Sequence, residues 1–147
     1  IYNDVVANSE IEKEASAELM ELDELLALAD YVSIHVPLLD STHHLINAEK
    51  LALMKGDAYL INTSRGPVLD EHALVEALEN GELKGAALDV LEFESTQLKV
   101  EHEHSQAYHH LLQHPRVILT PHIAGWTVES YYHLSKVLQL VLLVSSG

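Results

Sequence analysis

The chain has 147 residues, of which 48% are hydrophobic, so it can form one ordinary core but not two complete domains. Its 23 acidic and 8 basic side chains give a formal net charge of -15, which opposes binding to nucleic acid and to anionic membrane surfaces. Cysteine is absent, which excludes disulfides and thiolate metal sites, and we expect a cytoplasmic location. The longest apolar run, residues 137–144, is shorter than the ~20 residues of a membrane helix, and no export signal is expected.

Short apolar or β-branched runs alternate with helical patterns, which indicates βαβ units and a parallel sheet covered on both faces. Strands are predicted near residues 1–3, 31–36, 58–62, 85–90 and 117–120. Between them, Asp23 is placed to cap a helix that reaches residue 29, Asn47 one that reaches residue 55, and Asp70 one that ends at Gly81. The predicted fold class is therefore α/β, with a doubly wound parallel sheet.

The last third of the chain departs from this alternation. Residues 92–114 are rich in Glu, His, Gln and Ser, which predicts a long surface excursion with a small helix at residues 107–113. Pro121 ends the final strand because it has no N–H to donate. A long amphipathic helix is expected from about Thr127 to the C-terminus. We therefore divide the chain into a sheet-containing domain, residues 1–127, and a C-terminal helix, residues 128–147.

Polar groups suited to chemistry follow three of the predicted strands. Arg65 lies in LINTSRGPVLD (60–70), carboxylates end GAALDVLEFE (85–94), and His122 lies in LTPHIAGWT (119–127). A guanidinium binds a carboxylate through a two-bond fork, and histidine exchanges a proton near neutral pH. Each residue alone has an ordinary explanation as a loop tie, a cap or a turn residue. Together they favour a site, because ligands bind beyond the carboxyl ends of parallel strands.

The motifs HVPL (35–38), LIN (45–47), NTSRGPVLD (62–70), GAALDV (85–90) and TPHIAG (120–125), in this order, resemble the D-isomer-specific 2-hydroxyacid dehydrogenases. The resemblance runs from residue 1 to about residue 136, and it implies that residues 1–127 form a Rossmann-like NAD-binding domain. The family's first strand and glycine-rich phosphate loop have no counterpart in this sequence. Because that strand lies mid-sheet, we expect an incomplete sheet, in two halves with unpaired inner edges.

The resemblance implies hydride transfer between NAD(H) and a 2-keto or D-2-hydroxy acid. Arg65 would bind the carboxylate and carbonyl of the keto acid, and His122 would donate a proton to the carbonyl oxygen. Glu94, which stands five residues after Asp89, would pair with His122. Asp4 would bind the adenosine ribose and so favour NAD over its phosphorylated relative. The other cofactor contacts implied are Val36, Pro37, Thr42, Thr63, Ser64, Arg65, Asp89, His122, Ala124 and Gly125. The family also implies a homodimer.

Two other classes of function stay open. The chain could be a non-catalytic, cofactor-sensing interaction module, because the same fold also has that role. It could also be a fragment of a dehydrogenase without catalytic activity. Closely spaced histidines also suggest zinc or nickel binding, and these are His102, His104, His109, His110 and His114. The family offers no matching feature, so no metal ligand is assigned. Glyoxylate, pyruvate, hydroxypyruvate and phosphorylated acids are all candidate substrates.

Overall fold

A four-stranded parallel sheet forms the centre of the computed structural model, which describes residues 1–7, 9–92 and 106–132. The strands are adjacent in chain order: β1 (Tyr31–Ile34), β2 (Tyr59–Asn62), β3 (Gly85–Leu88) and β4 (Val117–Leu119). The register aligns the last residues of all four strands in one row. The loops that follow the strands therefore leave from one edge, and the predicted α/β class with a parallel sheet is confirmed.

The first predicted strand is wrong as a strand. Tyr2 makes a single parallel bridge with Leu19, in which the Tyr2 N–H donates to the Glu18 carbonyl and the Met20 N–H donates to the Tyr2 carbonyl. So short a two-stranded pairing is marginal without further strands beside it. Within the described residues this bridge is separate from the four-stranded sheet, and β1 is an edge strand of that sheet, in agreement with the expected division into halves.

In the described part of the chain, five helices and one short 3-10 turn precede the helix that begins at residue 128. They are α1 (Ser9–Glu14), α2 (Leu22–Leu28), α3 (Ala48–Leu51), the 3-10 turn Gly66–Val68, α4 (Glu71–Glu79) and α5 (Gln106–Gln113). The prediction for α4 is confirmed, because Asp70 accepts the Ala73 N–H at 3.0 Å and Gly81 follows the helix at φ 74°. The small helix of the excursion is also confirmed, as α5.

Two helix ends differ from the predictions. Asn47 caps α3 as expected, by accepting the Lys50 N–H at 3.1 Å, but α3 ends at Leu51. The Leu53 and Met54 N–H groups donate to the carbonyls of Lys50 and Leu51, three residues back, which tightens the chain into turns before residue 55. Helix α2 begins at Leu22, so Asp23 lies in its first turn and is not its cap. The Asp23 carboxylate instead forms an ion pair with Lys50.

Leucines from every layer form the core. Leu26 of α2, Leu51 of α3, Leu60 of β2, Leu74 of α4 and Leu111 of α5 are all nearly fully buried. Burial of each side chain contributes roughly 1.5–3 kcal/mol, so these contacts hold the helices against the sheet. Residues 128–132 begin the expected C-terminal helix, and the rest of that prediction lies outside the described residues. No helix of the described segments is long and apolar enough to span a bilayer.

Candidate active site

An open groove of about 530 Å³ lies where the loops after β1 and β2 leave the sheet. It is lined by His35, Val36, Pro37, Leu38, Thr63, Ser64 and Arg65. Five of these residues were predicted to contact a cofactor or substrate from the sequence. The groove is thus at the edge of the sheet where parallel α/β domains bind ligands.

The turn that carries Arg65 is built around a buried asparagine. Asn62 is completely buried at the end of β2, and its side chain accepts the Ser64 N–H at 3.0 Å and donates to the Arg65 carbonyl at 3.1 Å. The Ser64 hydroxyl donates to the carbonyl of Val36, which joins the turn to the loop after β1. Sequence reasoning missed this positioning role, although an asparagine at the end of an apolar strand was a signal for it.

The Arg65 side chain is exposed beside the groove. Its Nη1 donates to the Ser64 carbonyl at 2.7 Å, and no acidic side chain of the described segments pairs with it. The other arginine of the chain, Arg116, is a structural tie: it donates to the carbonyls of Leu83 and Leu78 near the end of α4. Of the two guanidinium groups, only that of Arg65 is therefore placed to bind an anionic ligand in the groove.

Asp89, just after β3, organises the turn that carries His122. One Asp89 oxygen accepts the Thr120 hydroxyl and the Ile123 N–H, the latter at 2.9 Å, and the other accepts the Ala124 N–H at 2.8 Å. Burial acts to raise the pKa of Asp89, but these hydrogen bonds and the nearby His122 outweigh it and hold the pKa below its usual value. The carboxylate is therefore ionised at neutral pH. Its direct contact with the cofactor stays a prediction.

His122 is half-buried in this turn and has a positive φ of 55°. Arg65, Asp89 and His122 follow β2, β3 and β4, so their predicted placement at one edge of the sheet is confirmed. Glu94 lies outside the described residues, and its pairing with His122 stays a prediction.

The other predicted cofactor residues fall into three places. Thr42 closes the loop after β1, since its hydroxyl donates to the Pro37 carbonyl at 2.6 Å and accepts the Leu39 N–H at 2.8 Å. Gly125 is exposed in the His122 turn. Asp4 is exposed outside the four-stranded sheet and accepts the Val6 N–H at 3.3 Å. Their roles toward a cofactor stay predictions.

The loops after β2 and β3 are tied together by contacts that the sequence did not reveal. A Cβ on Gly66 would lie 2.0 Å from the carbonyl carbon of Leu91, so only glycine allows this approach. The Glu71 carboxylate is buried and accepts the Glu92 N–H at 2.6 Å. Burial raises the pKa of Glu71 to about 7. The residue next to Arg65 is thus fixed against the segment that leads toward Glu94.

The histidine-rich segment gives no ligand cluster within the described part of the chain. His110 Nδ1 lies 2.9 Å from Glu79 Oε1. Among the described residues, neither His109 nor His114 belongs to a group of three potential metal ligands. His102 and His104 lie outside the described residues.

The family model for "D-isomer specific 2-hydroxyacid dehydrogenase, NAD binding domain" matches residues 1–124. The chain belongs to this family. Among curated members, a glyoxylate reductase of Thermofilum pendens is 44% identical over 137 residues, which are 92% of this chain and 38% of that protein. A D-lactate dehydrogenase of Treponema pallidum is 43% identical over 112 residues, which are 74% of this chain and 34% of that protein.

Solved structures of the family match closely. The NAD-complexed D-isomer specific 2-hydroxyacid dehydrogenase of Lactobacillus delbrueckii ssp. bulgaricus has a TM-score of 0.83 and 37% identity, over 98% of this chain and 45% of that one. The D-lactate dehydrogenase of Aquifex aeolicus, complexed with NAD and lactic acid, has a TM-score of 0.80 and 37% identity, over 99% and 45% of the two chains. This member of the family therefore spans less than half the length of these relatives.

Proposed function

We propose that this dehydrogenase-family chain takes part in the reversible reduction of a 2-keto acid to a D-2-hydroxy acid, with NAD(H) as the cofactor. The observation that carries the proposal is the placement of Arg65 and His122. Both follow strands of one parallel sheet, and the loops between them are joined through Asp89 and the Leu91–Glu92 peptide. An anion-binding group and a proton-transfer group at one sheet edge are what keto-acid reduction requires.

Arg65 would bind the substrate carboxylate. Its guanidinium carries a positive charge and five N–H donors, and the described residues offer it only the Ser64 carbonyl. A carboxylate can accept two of the remaining donors side by side, and a lysine cannot reproduce that geometry. The same positive charge would stabilise the oxygen that becomes negative as the carbonyl is reduced.

His122 would supply the proton that the carbonyl oxygen takes up. Asp89 fixes the backbone on the C-terminal side of His122, so the ring is presented from a rigid turn. The negative charge of Asp89 also lies close enough to interact with His122. Pairing with Glu94 would favour the protonated imidazole.

The groove would hold the nicotinamide part of the cofactor. Its volume of about 530 Å³ falls within the ~300–1,000 Å³ of small-molecule pockets. Val36, Pro37, Thr63 and Ser64 line it and would hold the ring and its ribose. NAD, when bound, supplies the hydride, because no side chain can.

Two substitutions test the proposed roles of Arg65 and His122 by steady-state kinetics of the purified full-length protein, with glyoxylate, pyruvate and hydroxypyruvate as substrates. Arg65→Lys should raise KM for the keto acid, and the matched control is Arg116→Lys, which changes the only other arginine of the chain. His122→Asn should lower kcat, because asparagine tolerates the positive φ but transfers no proton; His109→Asn is its control. Wild-type kinetics from either site variant would overturn the proposal.

We also propose that the protein is a cytoplasmic homodimer. The support is the dimeric habit implied by the family and a cysteine-free, acidic composition suited to a reducing compartment. Size-exclusion chromatography with light scattering would give twice the monomer mass if the dimer exists. A monomer at micromolar concentration would contradict it.

A further inference from the structure

Two histidines and a glutamate that keto-acid reduction does not use lie together beside the candidate active site. His43 and His44 belong to the loop after β1, and Glu92 follows β3. One ligand atom from each lies within 4.8 Å of the other two. His44 Nε2 is 2.7 Å from Glu92 Oε1, and the two imidazole rings stack with centroids 4.2 Å apart. We propose that these three side chains bind one divalent transition-metal ion of the zinc class.

The donor set suits zinc. Two imidazole nitrogens and one carboxylate oxygen are a recognised three-ligand set for Zn²⁺, with a fourth position left for water. At zinc bond lengths, donor atoms lie roughly 3.3 Å apart. The His44–Glu92 pair is already closer than this. His43 is exposed, so its ring can rotate inward to complete the set.

A carboxylate stands behind His44 on the side away from Glu92. The Asp70 Oδ2 atom is 4.0 Å from His44 Nδ1. Metal-binding histidines commonly donate their second ring N–H to a carboxylate, which fixes the tautomer and leaves the other nitrogen for the metal. Asp70 is itself held in place, because its other oxygen caps α4 through the Ala73 N–H.

Glu92 is held just as firmly. Its N–H donates to Glu71, and its peptide with Leu91 packs directly on Gly66. The Glu92 ligand therefore comes from a segment that is already held in place.

Zinc would join the loop after β1 to the segment after β3. That junction is adjacent to the groove but contains neither Arg65 nor His122. The site therefore does not depend on the proposed reaction, and metal-free protein should still reduce keto acids. Binding should instead raise the melting temperature, because a ligand that binds only the folded state stabilises it.

The test is Zn²⁺ titration of the purified, chelator-stripped protein by calorimetry and thermal melting, with Co²⁺ absorption as a report of tetrahedral ligands. His43→Ala and Glu92→Gln should each weaken Zn²⁺ binding at least about tenfold and abolish the tetrahedral Co²⁺ spectrum. Asp70→Asn keeps the helix cap and should weaken binding about tenfold. His109→Ala changes an exposed histidine of α5 and is the matched control.

His43 is exposed, so its variant should melt like the wild type without metal and any loss of binding is not a folding defect. The proposal is supported if the wild type and His109→Ala bind Zn²⁺ equally, and if His43→Ala and Glu92→Gln each bind it at least about tenfold more weakly. It is overturned if His43→Ala binds like the wild type, if His109→Ala loses the binding, or if Zn²⁺ fails to bind at all. Activity that is absent while zinc still binds would count only against the proposed reaction.

Discussion

Replacement of Asp89 by asparagine should destabilise the protein selectively at neutral pH. The aspartate oxygens accept one hydroxyl and two N–H groups from the turn after β4. Asparagine keeps one oxygen but directs an NH₂ group toward the Ala124 N–H, so one hydrogen bond becomes a repulsive contact and the others lose their charge. Hydrogen bonds to charged groups contribute roughly 1.5–3 kcal/mol, so we expect Asp89→Asn to cost about 3 kcal/mol at pH 7.

The loss of stability in Asp89→Asn should depend on pH, in a direction set by the pKa of Asp89. The pKa of Asp89 is held below its usual 3.8, so the stabilisation is present above that value and disappears as pH falls through the lower folded value. The difference between wild type and variant should stay constant from pH 7 to pH 5 and shrink below about pH 4. Urea unfolding can be followed by Trp126, the single tryptophan of the chain, which lies just after the turn.

The matched control is Asp23→Asn, which removes an exposed carboxylate paired with Lys50. A surface ion pair contributes about 0–1 kcal/mol, so this variant should lose far less stability. If Asp89→Asn lost no more stability than Asp23→Asn at pH 7, the hydrogen bonds of the Asp89 carboxylate would not stabilise the turn. A difference in stability that widened as the pH fell would contradict the lowered pKa of Asp89.

Three further substitutions test the contacts around the groove. Gly66→Ala would drive a Cβ into Leu91 and should cost about 3 kcal/mol or more in urea unfolding. Gly56→Ala is its control and should cost nothing measurable, because a Cβ there would come no closer than 3.9 Å to the Gly81 carbonyl oxygen, an ordinary contact distance. Glu71→Gln keeps the hydrogen-bond acceptor but cannot ionise. Because folding raises the Glu71 pKa from 4.5 to about 7, the wild-type protein loses stability as the pH rises and this buried carboxyl ionises. With a metal chelator present, the variant should therefore melt at a higher temperature than the wild type at pH 8 and at the same temperature at pH 4.5. Asn62→Ala should loosen the arginine turn and raise KM for the keto acid while costing about 2–3 kcal/mol of stability; an unchanged KM would contradict its positioning role.

The sequence was informative wherever a local pattern decides the structure. Apolar runs of four to six residues predicted all four strands of the sheet, and the side-chain caps of Asn47 and Asp70 predicted two helix starts. Because parallel strands share one carboxyl edge, the joint placement of Arg65 and His122 followed directly.

Contacts between distant loops could not be predicted in this way. Asp89 bonds to residues more than thirty positions along the chain, and the Glu71 carboxylate meets the N–H of Glu92, twenty-one positions away. Such contacts depend on how closely the loops pack, for which one sequence carries no periodic signal. The end of α3 was missed for a different reason: several competing turns follow Leu51, and local propensity does not rank them.

The proposed reaction is tested most directly by the stereochemistry of the product that the purified full-length protein forms from pyruvate and NADH. We expect NADH-dependent formation of the D-2-hydroxy acid, with KM raised by Arg65→Lys and kcat lowered by His122→Asn. Formation of the L-isomer, or of no hydroxy acid at saturating NADH with pyruvate, glyoxylate and hydroxypyruvate alike, would contradict it.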